Sequence, residues 1–146
     1  MFSTKRLLFA SISAGCLAIP FSAIAAQNDP VSCSVSIDYV LNGVLREHYQ
    51  KEFVVDTATP FSDDFSTFTR FKFFDATTQK VSGVSTVNIA YFNDVGVFNS
   101  VDFRTKLTLR DDRTETTDGS YTFFASLPGS ASHTTNYTLT CKRVKD

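Results

Sequence analysis

The chain has no tryptophan, and its only methionine is Met1. Its 146 residues include two histidines, three cysteines, four prolines and six glycines. Each scarcity removes a class of protein. Without a tryptophan, the immunoglobulin arrangement of a core Trp on an inter-sheet disulfide is absent. Two distant histidines and a cysteine pair cannot supply the clustered ligands of a zinc site. There is no glycine-rich phosphate loop, and no cofactor is expected. Basic residues are not in excess: 14 Lys and Arg stand against 15 Asp and Glu. The basic face that nucleic acid requires is therefore missing. No internal repeat, low-complexity tract or Pro/Gly-rich linker divides the chain.

One long apolar run is present, and it lies at the N-terminus. Lys5-Arg6 precede a run from Leu7 to Ile19, Pro20 breaks it, and Ala23-Ile24-Ala25-Ala26 has the small-x-small form of a signal-peptidase site. Residues 1–26 are thus expected to be a bacterial-type signal peptide, removed after Ala25 or Ala26, which addresses the chain to the periplasm or the exterior. The run is too short and too interrupted to cross ~30 Å of hydrocarbon, so no membrane span is expected. Cys16 follows Ser13-Ala14-Gly15, a weak version of a lipobox. Ser13 stands where Leu is usual, and apolar rather than polar residues follow, so a lipid anchor is not expected.

Cleavage would remove Lys5 and Arg6 and no acidic residue, leaving 12 basic against 15 acidic residues. It would also leave an even pair of cysteines, Cys33 and Cys141, 108 positions apart. An even pair in an exported chain reads as a disulfide; two free buried thiols are the alternative. Closing a loop of that size stabilises a fold by up to ~4.7 kcal/mol in the chain-entropy account.

Residues 27–146 read as a single domain, long enough for a real core. Val31, Cys33, Val35, Ile37, Tyr39 and Leu41 alternate with Ser32, Ser34, Ser36 and Asp38. Period two with this contrast is a half-buried strand. Asn42-Gly43 turns the chain. In the following run, Leu45, Tyr49, Phe53 and Val55 share a face. A three-residue loop with a bulge at Gly43 pairs Val40 with Val44 and Val35 with Tyr49, and is preferred to a two-residue turn. Thr57 to Ser66 reads as a connection. Thr67 to Phe74 reads as a strand with Phe71 and Phe73 inward and Arg70 and Lys72 outward, and Asp75 to Gly83 as a polar loop. Val84 to Phe92 follows, with Val87, Ile89 and Tyr91 inward, then a turn at Asn93-Asp94-Val95-Gly96. Val97 to Arg110 turns Val101, Phe103, Leu107 and Leu109 inward. A charged loop from Asp111 to Gly119 precedes Ser120 to Leu127, and Asn136 to Arg143 closes the chain with Tyr137, Leu139 and Cys141 inward.

About seven strands and no amphipathic helix predict an all-β, single-domain antiparallel β-sandwich, with a small barrel as the alternative. Because Cys33 and Cys141 lie on apolar faces, the disulfide should join the first and last strands in or beside the core.

Chemistry is thinly represented. His48 lies on a polar strand face, and His133 in a Ser/Thr-rich loop; neither has the setting of a general base. Asp63-Asp64 are adjacent, so their side chains diverge, which suits glycosidase work poorly. Asp111, Asp112, Glu115 and Asp118 match no calcium loop, and Arg110 and Arg113 offset them. No catalytic residue and no metal ligand is expected. The unusual feature is a crowd of phenylalanines: Phe61, Phe65, Phe68, Phe71, Phe73 and Phe74 fall within fourteen residues. Either both sides of the segment are covered, or some rings face a partner or an apolar ligand. Phe61, Phe65, Phe68 and Phe74 are the expected contact surface. The resulting expectation is an exported, non-catalytic binding protein, accessory or inhibitor-like, whose partner is another protein. The alternatives are a structural or adhesive subunit and a small barrel carrying an apolar ligand.

Overall fold

The computed structural model describes residues 29–96, 99–124 and 131–144. The expected signal peptide, its cleavage site and Cys16 lie outside the described residues. Two four-stranded sheets face each other. One has the order β2-β1-β8-β7, the other β3-β4-β5-β6, and all neighbours are antiparallel. The strands are β1 Val31–Leu41, β2 Val44–Val55, β3 Phe61–Asp64, β4 Lys72–Val81, β5 Val84–Gly96, β6 Asn99–Leu109, β7 Glu115–Phe124 and β8 Ser132–Arg143. Since the two sheets do not join, the protein is a sandwich and not a closed barrel.

The first sheet is organised around the two ends of the chain. β1 pairs with β2 on one side and β8 on the other, each along its whole length. Its alternating residues Val31, Cys33, Val35, Ile37 and Tyr39 are all buried. Cys33 lies directly opposite Cys141 on β8, at a Cα–Cα distance of 4.1 Å, and the two form a disulfide. The bridge therefore lies within one sheet, on its core face, and joins the first and last strands.

The β1–β2 register differs from the expected one. Asn42 and Gly43 both have positive φ, 50° and 78°, and form a two-residue turn with Leu41 opposite Val44. That is the mirror-image turn whose twist matches a hairpin. Such a turn, continued without a break, would put His48 against Ile37. The conflict is removed just beyond the turn: Val40 pairs with Leu45 and Tyr39 with Glu47, leaving Arg46 as a bulge. Beyond the bulge, Tyr49 faces Ile37 and Phe53 faces Cys33, while Leu45 is left exposed.

The second sheet is a meander with more strand than expected. Phe61–Asp64 pairs with β4 as an eighth strand, and most of the expected loop from Asp75 to Gly83 is strand, ending in a Ser82-Gly83 turn with positive φ at both residues. Its inward residues include Ala76 and Thr78, which read as polar loop in sequence; Thr78 satisfies its hydroxyl by donating to the Thr86 carbonyl at 3.2 Å. Likewise β5 runs on to Gly96 where a turn was expected, and β7 begins at Glu115, within the expected charged loop. Gly119 is tolerated mid-strand because the Tyr137 ring of β8 lies against it; a Cβ there would fall 2.7 Å from that ring.

The space between the sheets is filled largely by aromatic rings. Phe53, Phe61 and Phe74 pack together at one edge. Tyr91, Phe103, Tyr121 and Tyr137 continue across the layer. Each such contact adds about 0.5–1.5 kcal/mol beyond burial.

Candidate functional site

The six phenylalanines of residues 61–74 separate into three groups. Phe74 is fully buried and contacts Tyr49, Phe53 and Phe61, so it belongs to the core and not to the expected contact surface. Phe61 and Phe65 are half-buried: Phe61 stacks on Phe53 at 4.9 Å and Phe65 on Tyr49 at 4.6 Å. They close the open side of the sandwich between β2 and β4. Phe68, Phe71 and Phe73 point out, with relative exposures of 106, 74 and 38 %. Phe73 stacks on Phe92 of β5 at 5.2 Å and 12° between planes.

This reverses the inside and outside faces expected for residues 67–74. The ladder starts only at Lys72, because Thr67 and Arg70 close a tight turn of their own. From there Phe74, Ala76 and Thr78 set the inward parity, and Phe73 goes to solvent. Lys72 goes inward with them; its side chain is only 12 % exposed.

A charge on the inner face needs a partner, and β2 supplies it. Glu47, turned inward by the Arg46 bulge, accepts hydrogen bonds from Lys72 Nζ at 2.6 Å and Asn93 Nδ2 at 2.9 Å, and from Arg70 at 3.3 Å. Asn93 is fully buried and also donates to the Tyr91 hydroxyl at 3.0 Å, while its own Oδ1 has no partner. Burial acts to raise the Glu47 carboxyl, but the hydrogen bonds from Lys72 and Asn93 and the charges of Lys72 and Arg70 outweigh it and hold the carboxyl below the usual range. Burial pushes the Tyr91 phenol up to about 12. This cross-sheet network fixes the base of the Phe68–Phe71 turn. Further bonds hold the turn itself: Phe65 N to Lys72 O at 3.1 Å, Ser66 N to the Asp64 carboxylate at 3.0 Å, and Asp94 N to Phe71 O at 2.9 Å.

The titratable groups singled out in the sequence do not assemble. His48 is on the outer face of the first sheet, 2.6 Å from Asp38, whose hydrogen bond holds the imidazole above its usual value. The His133 ring lies on the opposite strand, with Nδ1 2.6 Å from the Tyr39 hydroxyl. Asp63 turns inward to accept from Tyr49 at 2.9 Å and pair with Lys51 at 3.1 Å, while Asp64 turns outward to Ser66. Burial first, then Asp63, pushes the Tyr49 phenol up. Among the described residues no three His, Cys, Asp or Glu side chains gather in a way that could hold a metal ion, and no helix is long and apolar enough to cross a membrane.

The residues that sequence reading missed are Glu47, Lys72 and Asn93. The one available signal was Glu47 itself, which falls opposite the apolar Ile37 in the expected three-residue-loop register. No protein-family model matches the chain, and no curated protein sequence matches it.

Proposed function

We propose that this chain is an exported binding protein without catalytic activity, accessory or inhibitor-like, which contacts another protein through Phe68, Phe71 and Phe73. The observation that carries this reading is the exposure of Phe68 and Phe71 on a turn held by its own hydrogen bonds. Leaving a phenyl ring in water forgoes about 1.5–3 kcal/mol of burial. A turn fixed in advance loses little entropy when it docks. The rings are flanked on the same sheet face by Asp64 and Asp102, which pair in register with Phe73 and Phe92 respectively. The complementary partner surface is an apolar pocket with a basic rim. A buried disulfide, and the absence of a spanning helix among the described residues, are compatible with the exported setting.

The adhesive-subunit alternative draws no support from the first sheet, where β1 and β8 are each paired on both sides. The carrier alternative loses its barrel. The test uses purified protein to capture its partner from the native compartment, with a Phe68→Ser/Phe71→Ser double variant alongside. The partner should be lost by a variant whose thermal unfolding matches the parent. Retention of that partner by the folded variant would remove the patch as the contact surface.

A further inference from the structure

A second feature lies on the same outer face, one row below the rings. Register places Asp75, Ala90 and Arg104 side by side on β4, β5 and β6, and Thr77, Asn88 and Lys106 in the next row. Ala90 is the smallest side chain of its row, so the face dips there, forming an open depression of about 610 Å³. Its two walls are two strand spacings apart, ~10 Å between backbones. Asp75, Thr77, Asn88, Ala90, Arg104 and Lys106 line it, so its outer-face lining is polar apart from the Ala90 methyl.

The walls carry opposite charges. Asp75 is acidic and holds one oxygen toward Ser62, whose hydroxyl donates to it at 2.6 Å. Opposite stand Arg104 and Lys106, whose side chains have no ion-pair partner among the described residues. A ligand of one charge sign meets a repelling wall on one side. An uncharged, hydroxyl-rich ligand is matched on both: its hydroxyls donate to Asp75 and accept from Arg104 and Lys106, with Thr77 and Asn88 able to do either. A floor one strand wide suits a single six-membered ring, whose C–H face can lie on the Ala90 methyl. We propose that this depression binds a neutral saccharide over Ala90, between Asp75 and the Arg104–Lys106 pair. The site does not use Phe68 or Phe71, so it stands or falls separately from the protein-contact patch.

The test is an amide-shift NMR titration of labelled full-length mature protein. The probes are neutral tetramers of glucose, galactose, mannose and N-acetylglucosamine, with tetragalacturonate and glycylglycine as the acidic and zwitterionic comparisons. At least one neutral tetramer should shift the amides of Asp75, Asn88, Ala90 and Arg104. Ala90→Phe, which fills the depression, should weaken that binding at least roughly tenfold, or about 1.4 kcal/mol. Phe68→Ser/Phe71→Ser should leave it unchanged. If Ala90→Phe lowers the melting temperature, Arg104→Ala replaces it with the same expected direction. The proposal is overturned if no neutral tetramer shifts these amides, if tetragalacturonate or glycylglycine binds more tightly than all of them, or if binding survives the folded variant.

Discussion

β1 and the start of β4 carry the same period-two alternation and use it in opposite senses. In β1 the apolar residues Val31 to Tyr39 face the core and the serines face out. In β4, Lys72 is inside, Phe73 is outside and Phe71 just before the strand is exposed. The difference lies in what each strand meets across the sandwich. β1 meets apolar side chains and a disulfide partner on its own sheet. Lys72 meets Glu47, whose carboxylate accepts from Lys72 Nζ and from Asn93 Nδ2. A lysine goes inside when a paired carboxylate waits there, since an unpaired buried charge would cost several kcal/mol. One face of the molecule is thereby built for stability, while the other has rings to spare for contact.

The largest expected effect tests the first region. Replacing both Cys33 and Cys141 by Ser should lower stability by up to ~4.7 kcal/mol in the chain-entropy account, since the bridge closes nearly the whole domain. Denaturant unfolding of the double variant against the parent measures it. An unchanged midpoint would mean that full-length pairing of β1 with β2 and β8 suffices without the bridge. Next comes Phe74→Ala, in the second region but on its inward side. Removing this fully buried ring should cost about 3–5 kcal/mol by loss of transfer energy and by cavity formation.

β1, β8 and the apolar faces of β5 and β6 were legible in the sequence because their core residues are apolar and their neighbours polar. The disulfide followed from the same pattern, since both cysteines fall on the apolar phase. β4 was not legible, for two physical reasons. Its inward Thr78 satisfies its hydroxyl within the sheet, so a core position carries a polar residue. Its inward Lys72 is neutralised by a residue 25 positions away. The β1–β2 register required knowing that a bulge at Arg46 would restore the faces after a two-residue turn, and nothing in residues 42–48 announces it. Of the expected contact residues, Phe68 is fully exposed and Phe74 fully buried, because parity within the segment was set by a turn at Thr67–Arg70 and not by the rings.

The network at Glu47 joins the two regions, and its loss should be intermediate in size. Glu47→Gln leaves Lys72 enclosed without a counter-charge and should destabilise the fold by about 1–3 kcal/mol near neutral pH. The pH dependence follows from the direction of the shift. The folded carboxyl titrates below its unfolded value of ~4.3, so its contribution is present above that value and is lost as pH falls through the folded one. The gap in stability between parent and Glu47→Gln should therefore narrow on acidification from pH 7 to below ~4. A gap of constant size across that range would show that the ion pairs with Lys72 and Arg70 contribute nothing beyond hydrogen bonding.

The smallest expected effect is the most discriminating. Among the described residues Phe68 stacks on no other ring, and it is exposed beyond the usual extended-chain reference. Phe68→Ser should therefore change stability by no more than ~0.5 kcal/mol, as for other surface positions free of special contacts. Its neighbour six residues on, Phe74, should show the full cost of a core deletion. The contrast between two identical residues on one short segment isolates the role of the turn. A large loss at Phe68, measured by denaturant unfolding, would mean that the ring packs against the fold in solution. The patch would then be an unfinished piece of core, and the protein-contact reading would lose the observation it rests on.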